Sequence, residues 1–445
     1  MLSATLPTTA TGTTTSKEAR NLYCLLATSL LSLLFILSFS SSTNPASSSS
    51  SSGSSPFALS SHHLQQQQPN SLTPTPPSIA YFITGSNGDS ERILRLLFAI
   101  YHPRNQYLLH LDLTANQSQR HQLALSVQSV PIFRAVQNVN VVGKADFAYS
   151  RGSSAISSTL HGAAILLRFS SSWDWFINLS AADYPLVTQD DLLHILSFLP
   201  KDLNFVNHTS RIGWRESRRM KPIIVDPGLY LSAKSDIFYV TQKRELPQAY
   251  RLFTGSASAI LSRKFVEFCI LGSDNLPRVL LMFFSNMPSS LASYFQTVLC
   301  NSQEFKKTTV NHNLQYVSWD KPPRQEPCIL TLNDFDEMIH SGAAFGSQFL
   351  QNDPVLDRID EEILNRTAGK IIPGGWCISD SNNDPCTVWG DTAVLRPGPG
   401  AKRLEKRIVE LLSNGTLHVN QCSETLTEED SQTAQNVTSD QNSVD

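Results

Sequence analysis

From Ser78 onward, short apolar runs alternate with segments of helical period, and this alternation constrains the fold more than any other feature of the 445-residue chain. Residues 79–84 read as a strand, closed by the turn formers Gly85, Asn87, Gly88 and Asp89. Ile93, Leu94, Leu96, Leu97 and Ile100 then recur at the spacing of one helix face. Residues 106–111 form a second predicted strand ending at Asp112, and 139–142 a third. A helix over 154–169 and a fourth strand over 175–179 follow. This βαβα order predicts an α/β domain with a largely parallel sheet. Ligands of such sheets bind beyond the carboxyl ends of the strands. Thr84, Asp112 and Asp183 each sit just past a predicted strand and are expected to face one crevice. Alone, Asp112 could cap the next helix and Asp183 could stabilise the turn before Tyr184 and Pro185; their common placement favours a site.

Charge divides the chain in two. Charged residues make up 16% of it, against roughly 25% in ordinary soluble chains, and the deficit lies at the front: residues 21–88 contain no Asp, Glu, Lys or Arg. Residues 22–39 are almost all apolar or small, about the minimum that spans a bilayer as a helix. Lys17 and Arg20 immediately precede them, which places residues 1–21 in the cytosol and the rest across the membrane. A cleaved signal peptide is the competing reading, with an apolar core long for that role. The stretch 40–77 is rich in Ser, Gln and Pro and cannot bury enough apolar surface to order itself, so it reads as a flexible stem. Residues 78–422 are the predicted luminal body, and 423–445 an acidic, disordered tail. The net charge of −3 excludes the basic excess of a nucleic-acid binder.

Six of the seven cysteines lie beyond the predicted anchor, as in a chain exposed to an oxidising compartment. Cys377 and Cys386, nine apart across a Ser/Asn/Asp-rich loop, are the expected local disulfide. Sequons at Asn116, Asn207, Asn365, Asn414 and Asn436 are candidate glycosylation sites; Asn178 also matches but follows the apolar run 175–177 and is expected to be buried. No Cys-x2-Cys or paired-His spacing suits zinc. The one Asp-x-Asp pair that could hold a divalent cation, Asp334 and Asp336, reads instead as the start of a helix, so neither metal nor cofactor is expected. A bound diphosphate would then need cationic side chains. Candidates are Arg211, Arg215, Arg218, Arg219 and Lys221 in one dense cluster, and Lys402 with Arg403 in another.

The stretch FINLSAADYPL (176–186) closely resembles the signature of the core-2/I-branching and xylosyltransferase family of glycosyltransferases. Segments 212–230, 234–247, 251–270, 373–377 (PGGWC) and 396–405 (RPGPGAKRLE) resemble its plant branch, the β-glucuronosyltransferases that act on arabinogalactan proteins. The resemblance spans about 78–422. It implies a GT-A-like α/β fold with a Rossmann-like nucleotide-binding half behind a transmembrane helix, a single-pass type II protein of the Golgi membrane. It also implies a UDP-sugar donor, UDP-glucuronate in this branch, bound without metal, and a glycan acceptor on an arabinogalactan protein. Transfer inverts the anomeric carbon, which requires a base to take the acceptor hydroxyl proton. By resemblance Asp112 contacts uridine, Asp183 lies near donor or acceptor, and the segment containing Ser150 and Arg151 approaches the nucleotide; Arg211, Lys402 and Arg403 are expected to bind the donor.

Three positions depart from the family pattern. Ala292 stands where a Glu serves as base, Ser347 where a cation meets the diphosphate, and Ser258 where Trp is usual. Three readings follow: an active transferase with a relocated base, for which Glu216 in the GWRE motif is the nominee; a weak or inactive paralogue that binds UDP-sugar or glycan or partners an active enzyme; or a secreted lectin or structural glycoprotein, which would have no reason to keep FINLSAADYP.

Overall fold

The computed structural model describes residues 75–232, 236–320, 326–378, 386–413 and 422, without the side chains of 215 and 216. The predicted cytosolic segment, the predicted span 22–39, nearly all of the stem, the acidic tail, Asn414 and Asn436 lie outside the described residues. Among the described residues no helix is long and apolar enough to cross a membrane.

A seven-stranded sheet organises the body. Its strands are β1 (Ile79–Gly85), β2 (Gln106–Leu111), β3 (Val139–Val141), β4 (Trp175–Ser180), β6 (Asn204–Phe205), β7 (Ile260–Ser262) and β8 (Thr309–Val310), in the spatial order β8-β6-β7-β4-β1-β2-β3. β1 pairs in parallel with both β2 and β4, and β2 with β3; β7 runs antiparallel between β4 and β6. The four strands expected from the sequence are all present; β6, β7 and β8 are additions, and β7 alone of the three runs antiparallel to both its neighbours. Both faces are covered, so β1 is buried from Ile79 to Ile83 and opens only at its carboxyl end. Ile79, Tyr81 and Ile83 enter one apolar cluster and Ala80 and Phe82 the other, the period-2 alternation of a strand.

Helix α1 (Ser90–Ile100) covers the first face with Ile93, Leu96, Leu97 and Ile100. Helix α2 (Ser154–Phe169) covers the second with Ile156, Ala163 and Leu166. Each fully buried Ile or Leu among these contributes about 1.5–3 kcal/mol of transfer free energy. α2 lies so close to β1 that a Cβ on Gly162 would sit 2.4 Å from the Phe82 ring, so only glycine fits there.

A smaller sheet joins β5 (Asp183–Pro185) to β10 (Phe345–Ser347) and β9 (Gln315–Val317). β5 is fixed from behind by buried polar side chains. The Tyr184 hydroxyl donates to Asp360 Oδ1 at 2.6 Å and accepts from Arg366 Nη2 at 2.6 Å, while Arg366 Nε and Arg95 Nη2 bond the two Asp360 oxygens at 2.6 and 2.7 Å.

Helix α3 (Gln189–Leu196) starts at a capping box between Thr188 and Asp191. Asp190 accepts the N–H groups of Gly375 and Arg396 at 2.7 and 2.6 Å, and Asp191 that of Gly398 at 2.6 Å. The PGGWC and RPGPG segments are thus held on two adjacent carboxylates, and helix α5 (Pro399–Ser413) packs against α3. Cys377 bonds Cys386, as expected, and a second disulfide joins Cys300 to Cys422. Asn178 is buried, with its amide committed to Ala257 O and Ala259 N, whereas Asn116, Asn207 and Asn365 are exposed. Asp334 accepts from Thr331 N and Oγ1 and so caps a helical turn.

Candidate functional site

The sheet order fixes where a site can form. From β1 the chain runs outward through β2 to β3, then crosses back to β4 on the other side of β1, so the carboxyl ends of β1 and β4 diverge at a switch point. A crevice of about 980 Å³ opens there, at the upper end of the roughly 300–1,000 Å³ usual for ligand clefts. Of the residues expected at a site, Thr84, Asp112, Ser150 and Arg151 line it.

Thr84 closes β1 and donates to Leu179 O at 3.3 Å, tying the two diverging strand ends together. Asp112, 3% exposed, accepts from Thr114 N at 3.0 Å and also from the Thr114 hydroxyl. It shapes the turn rather than capping the following helix, whose N-cap is Asn116. Burial raises its carboxyl above the usual carboxylate range, opposed by these hydrogen bonds. The wall carrying Tyr149, Ser150 and Arg151 is pinned by Asp226, a buried carboxylate whose Oδ2 accepts Ser153 N at 2.8 Å and Ser154 N at 2.7 Å while Oδ1 accepts Gly228 N at 2.8 Å. Asp226 therefore satisfies the first N–H groups of α2, and a Cβ on Gly152 would come 2.0 Å from its Oδ2. Arg151 reaches Glu326 at 2.8 Å across the surface.

Asp183, 2% exposed, does not line the crevice but a smaller cavity that shares Arg92 and Ala181 with it. Its Oδ2 accepts Ser180 N at 2.7 Å, and it hydrogen-bonds Ser347, its register partner across β5 and β10. Burial pushes its carboxyl up to about 6, against the opposing effects of those bonds and of Arg92. So Ser347, at a position where the resemblance calls for a cation, engages the buried acid. The cation shared by the two cavities is Arg92. It lines both cavities, with Nη1 on Asp89 Oδ1 at 2.9 Å and Nη2 on Phe349 O at 2.8 Å.

Other expected residues fall elsewhere. Arg211 is exposed, with its N–H on Thr209 Oγ1, and does not line the crevice. Lys402 and Arg403 belong to α5; Lys402 is exposed and Arg403 donates to Leu186 O at 3.3 Å. They stay on the α3 side because the preceding loop is bound to Asp190 and Asp191, and neither lines the crevice. Glu216 belongs to the short helix Trp214–Met220, and its side chain lies outside the described residues. Ala292 is half-buried in the first turn of helix α4 (Leu291–Asn301), whose start is tied to the crevice wall through Ser289 N to Arg151 O at 3.0 Å.

Sequence reasoning missed Arg92, Asp89, Asp236 and Tyr239, all lining the crevice. Arg92 and Asp89 were within reach, since they follow β1 at a strand end. Asp236 and Tyr239 were not, because the antiparallel hairpin that carries them has no buried face on its second strand.

Residues 79–339 match the family model described as Core-2/I-Branching enzyme. The chain is 54% identical over 354 residues to Beta-glucuronosyltransferase GlcAT14A of Arabidopsis thaliana, covering 79% of each protein. It is 47% identical to Beta-glucuronosyltransferase GlcAT14C of the same plant, covering 78% of this chain and 86% of that one. A more distant similarity, 32% over 251 residues, links it to Xylosyltransferase 1 of Rattus norvegicus, covering 56% of this chain and 29% of the other.

Proposed function

The chain belongs to the Core-2/I-branching enzyme family and is a glycosyltransferase, and from that premise we propose that it transfers glucuronic acid from UDP-glucuronate to the galactan chains of arabinogalactan proteins. The observation that carries this reading is the switch-point crevice, at whose strand ends Thr84, Asp112 and the Tyr149–Arg151 wall converge, in a chain 54% identical to a protein named as a β-glucuronosyltransferase. Asp112 lies where a uridine would be held. Arg92 and Arg151 supply positive charge for the diphosphate and the sugar carboxylate, and the donor is bound without metal. Asp183 fixes the β4–β5 turn and acts as a positioning residue.

In the inverting reaction the acceptor oxygen attacks C1 as the bond to the diphosphate breaks. UDP leaves, and a base takes the hydroxyl proton. Ala292 has no group to accept that proton, so the role passes to another carboxylate, and Glu216 is the candidate. The protein works on a type II anchor in the Golgi membrane.

A second reading rests on the same Ala292 and Ser347: a paralogue that keeps the nucleotide site but turns over slowly or not at all. General acid–base catalysis typically contributes about 10²–10⁴-fold, so a lost base can leave residual transfer. Incubating the purified protein with UDP-glucuronate and a β-galactan oligosaccharide, with and without a chelator, decides between them. Chelator-resistant transfer that Glu216→Gln abolishes is the expected result. UDP binding with no transfer, while an active relative runs in parallel, establishes the second reading instead.

A further inference from the structure

Two cavities meet at one arginine. The crevice and a smaller cavity of about 40 Å³ have only Arg92 and Ala181 in common among their lining residues. Asp183 lines the smaller one, while the two residues before it, Ala181 and Ala182, line the crevice. A buried carboxylate and the ligand cleft therefore share one guanidinium. The smaller cavity is too small for a sugar but has room for a few water molecules. Glu91, Gln351 and Asn352 line it and are exposed, so it gives solvent a route toward Asp183 that a ligand in the crevice leaves open.

Asp183 is faced from three elements. Ser180, at the end of β4, and Ser347, on β10, hydrogen-bond its carboxylate. Arg92, on α1, acts on it by charge while donating to Asp89 Oδ1 and Phe349 O. The other charged and titratable groups lining the smaller cavity are committed elsewhere or open to water. Arg95 bonds Asp357 and Asp360 at 2.7 Å each, the Tyr184 hydroxyl donates to Asp360, and Glu91 is exposed. Burial outweighs the contacts that favour the ionised form and pushes the Asp183 carboxyl up to about 6. Arg92 is thus the one cation that both this acid and a bound diphosphate would use.

We propose that Asp183 takes up a proton from solvent when a nucleotide diphosphate binds beside Arg92, which makes donor affinity depend on pH. The proposal deepens the donor-site reading above and rests on it. The nearby Arg92 helps the buried site tolerate an ionised Asp183. A diphosphate brings negative charge to the same guanidinium, and that charge disfavours the ionised carboxylate. A unit charge about 10 Å from a carboxylate, at the effective dielectric of about 20 that suits such sites, shifts its proton equilibrium about tenfold. By linkage, the protein with Asp183 protonated binds the donor about tenfold more tightly than the ionised form. The charges fix the sign: affinity is highest while the acid is protonated and falls as rising pH ionises it.

Calorimetric titration of the full-length protein with UDP-glucuronate, in buffers of different ionisation enthalpy, counts the protons taken up. The bridged phosphates of this ligand do not titrate in the range used. A tenfold coupling predicts uptake of about half a proton per nucleotide near pH 6.5, little at pH 5 or 8, and about tenfold weaker binding at pH 8 than at pH 5. Asp183→Asn should abolish the uptake and flatten the pH dependence. Ser347→Ala removes a hydrogen bond that favours the ionised acid, so the midpoint should move to higher pH. Binding without uptake near pH 6.5 overturns the proposal. So does uptake that persists in Asp183→Asn, which would belong to Asp112 or another acid of the crevice. Should Asp183→Asn fail to fold, the Ser347→Ala midpoint decides, and an unmoved midpoint overturns the proposal. The donor-site reading has its own failure: UDP-glucuronate that does not bind, or binds with an affinity indifferent to Arg92→Gln, sinks that reading and the proposal with it. Binding that Arg92→Gln weakens, without proton uptake, sinks the proposal alone.

Discussion

Removing the Asp226 carboxylate should loosen the crevice wall without deleting any group that lines the crevice. Three buried N–H groups converge on it, from Ser153, Ser154 and Gly228, at 2.7–2.8 Å. In Asp226→Ala all three lose their partner. An unpaired buried donor costs roughly 1–3 kcal/mol, and water entering the vacated space recovers part of that, so the expected loss is about 3–5 kcal/mol. Losing negative charge at the first turn of α2 adds about 0.3–1 kcal/mol. Asp226→Asn separates shape from charge. Its amide oxygen can keep the bonds from Ser153 and Ser154, but its NH₂ then faces the Gly228 N–H, for a loss of about 1–3 kcal/mol. A domain of ordinary stability, roughly 5–15 kcal/mol, tolerates the second change and is brought near unfolding by the first. Urea denaturation followed by tryptophan fluorescence gives the order wild type, Asn, Ala. Calorimetry should show weaker UDP binding in the Asn variant, because the Tyr149–Arg151 wall is less firmly held. An Ala variant within about 1 kcal/mol of wild type, with unchanged UDP affinity, would refute the reasoning.

Asp183 links the site to pH. Burial raises its carboxyl from the ordinary 3.8 to about 6, so its contribution to stability is full below about pH 4 and is lost as pH rises through about 6. The difference is on the order of 3 kcal/mol. The stability of Asp183→Asn relative to wild type should therefore increase between pH 4 and 7, and a pH-independent difference would contradict this. Asp360→Ala leaves Arg95 and Arg366 facing each other around Tyr184 and should cost about 3–5 kcal/mol in chemical denaturation; a loss below about 1 kcal/mol would show that β5 is held by other contacts. Gly162→Ala drives a Cβ into the Phe82 ring and should lower stability by about 1–3 kcal/mol, visible as a fall in melting temperature. An unchanged melting temperature would mean that α2 can shift off β1 without cost.

The parallel half of the fold was legible because its signal is local. Residues 79–84 and 106–111 are apolar runs ended by turn formers, and 93–100 shows a clean helical spacing, so strand ends and hence the crevice could be located. The rest depends on long-range contacts. Asp190 and Asp191 look like ordinary first-turn acids, yet they bind N–H groups about 185–207 residues away. Without that contact, Lys402 and Arg403 read as phosphate ligands rather than as part of a helix on the α3 side. The Cys300–Cys422 disulfide closes a separation of 122 residues and has no local trace. The hairpin Phe238–Lys243 escaped because its strand shows none of the alternation that burial imposes. Arg92 was within reach at the end of β1, but the apolar face of the helix that carries it is the stronger local signal.

The central claim is that the switch-point crevice is the nucleotide-sugar site. A crystal structure of the protein with UDP tests it most directly. The account predicts uridine density beside Asp112 and the diphosphate between Arg92 and Arg151. UDP bound elsewhere, at Lys402 and Arg403 for instance, with the crevice empty, would contradict it.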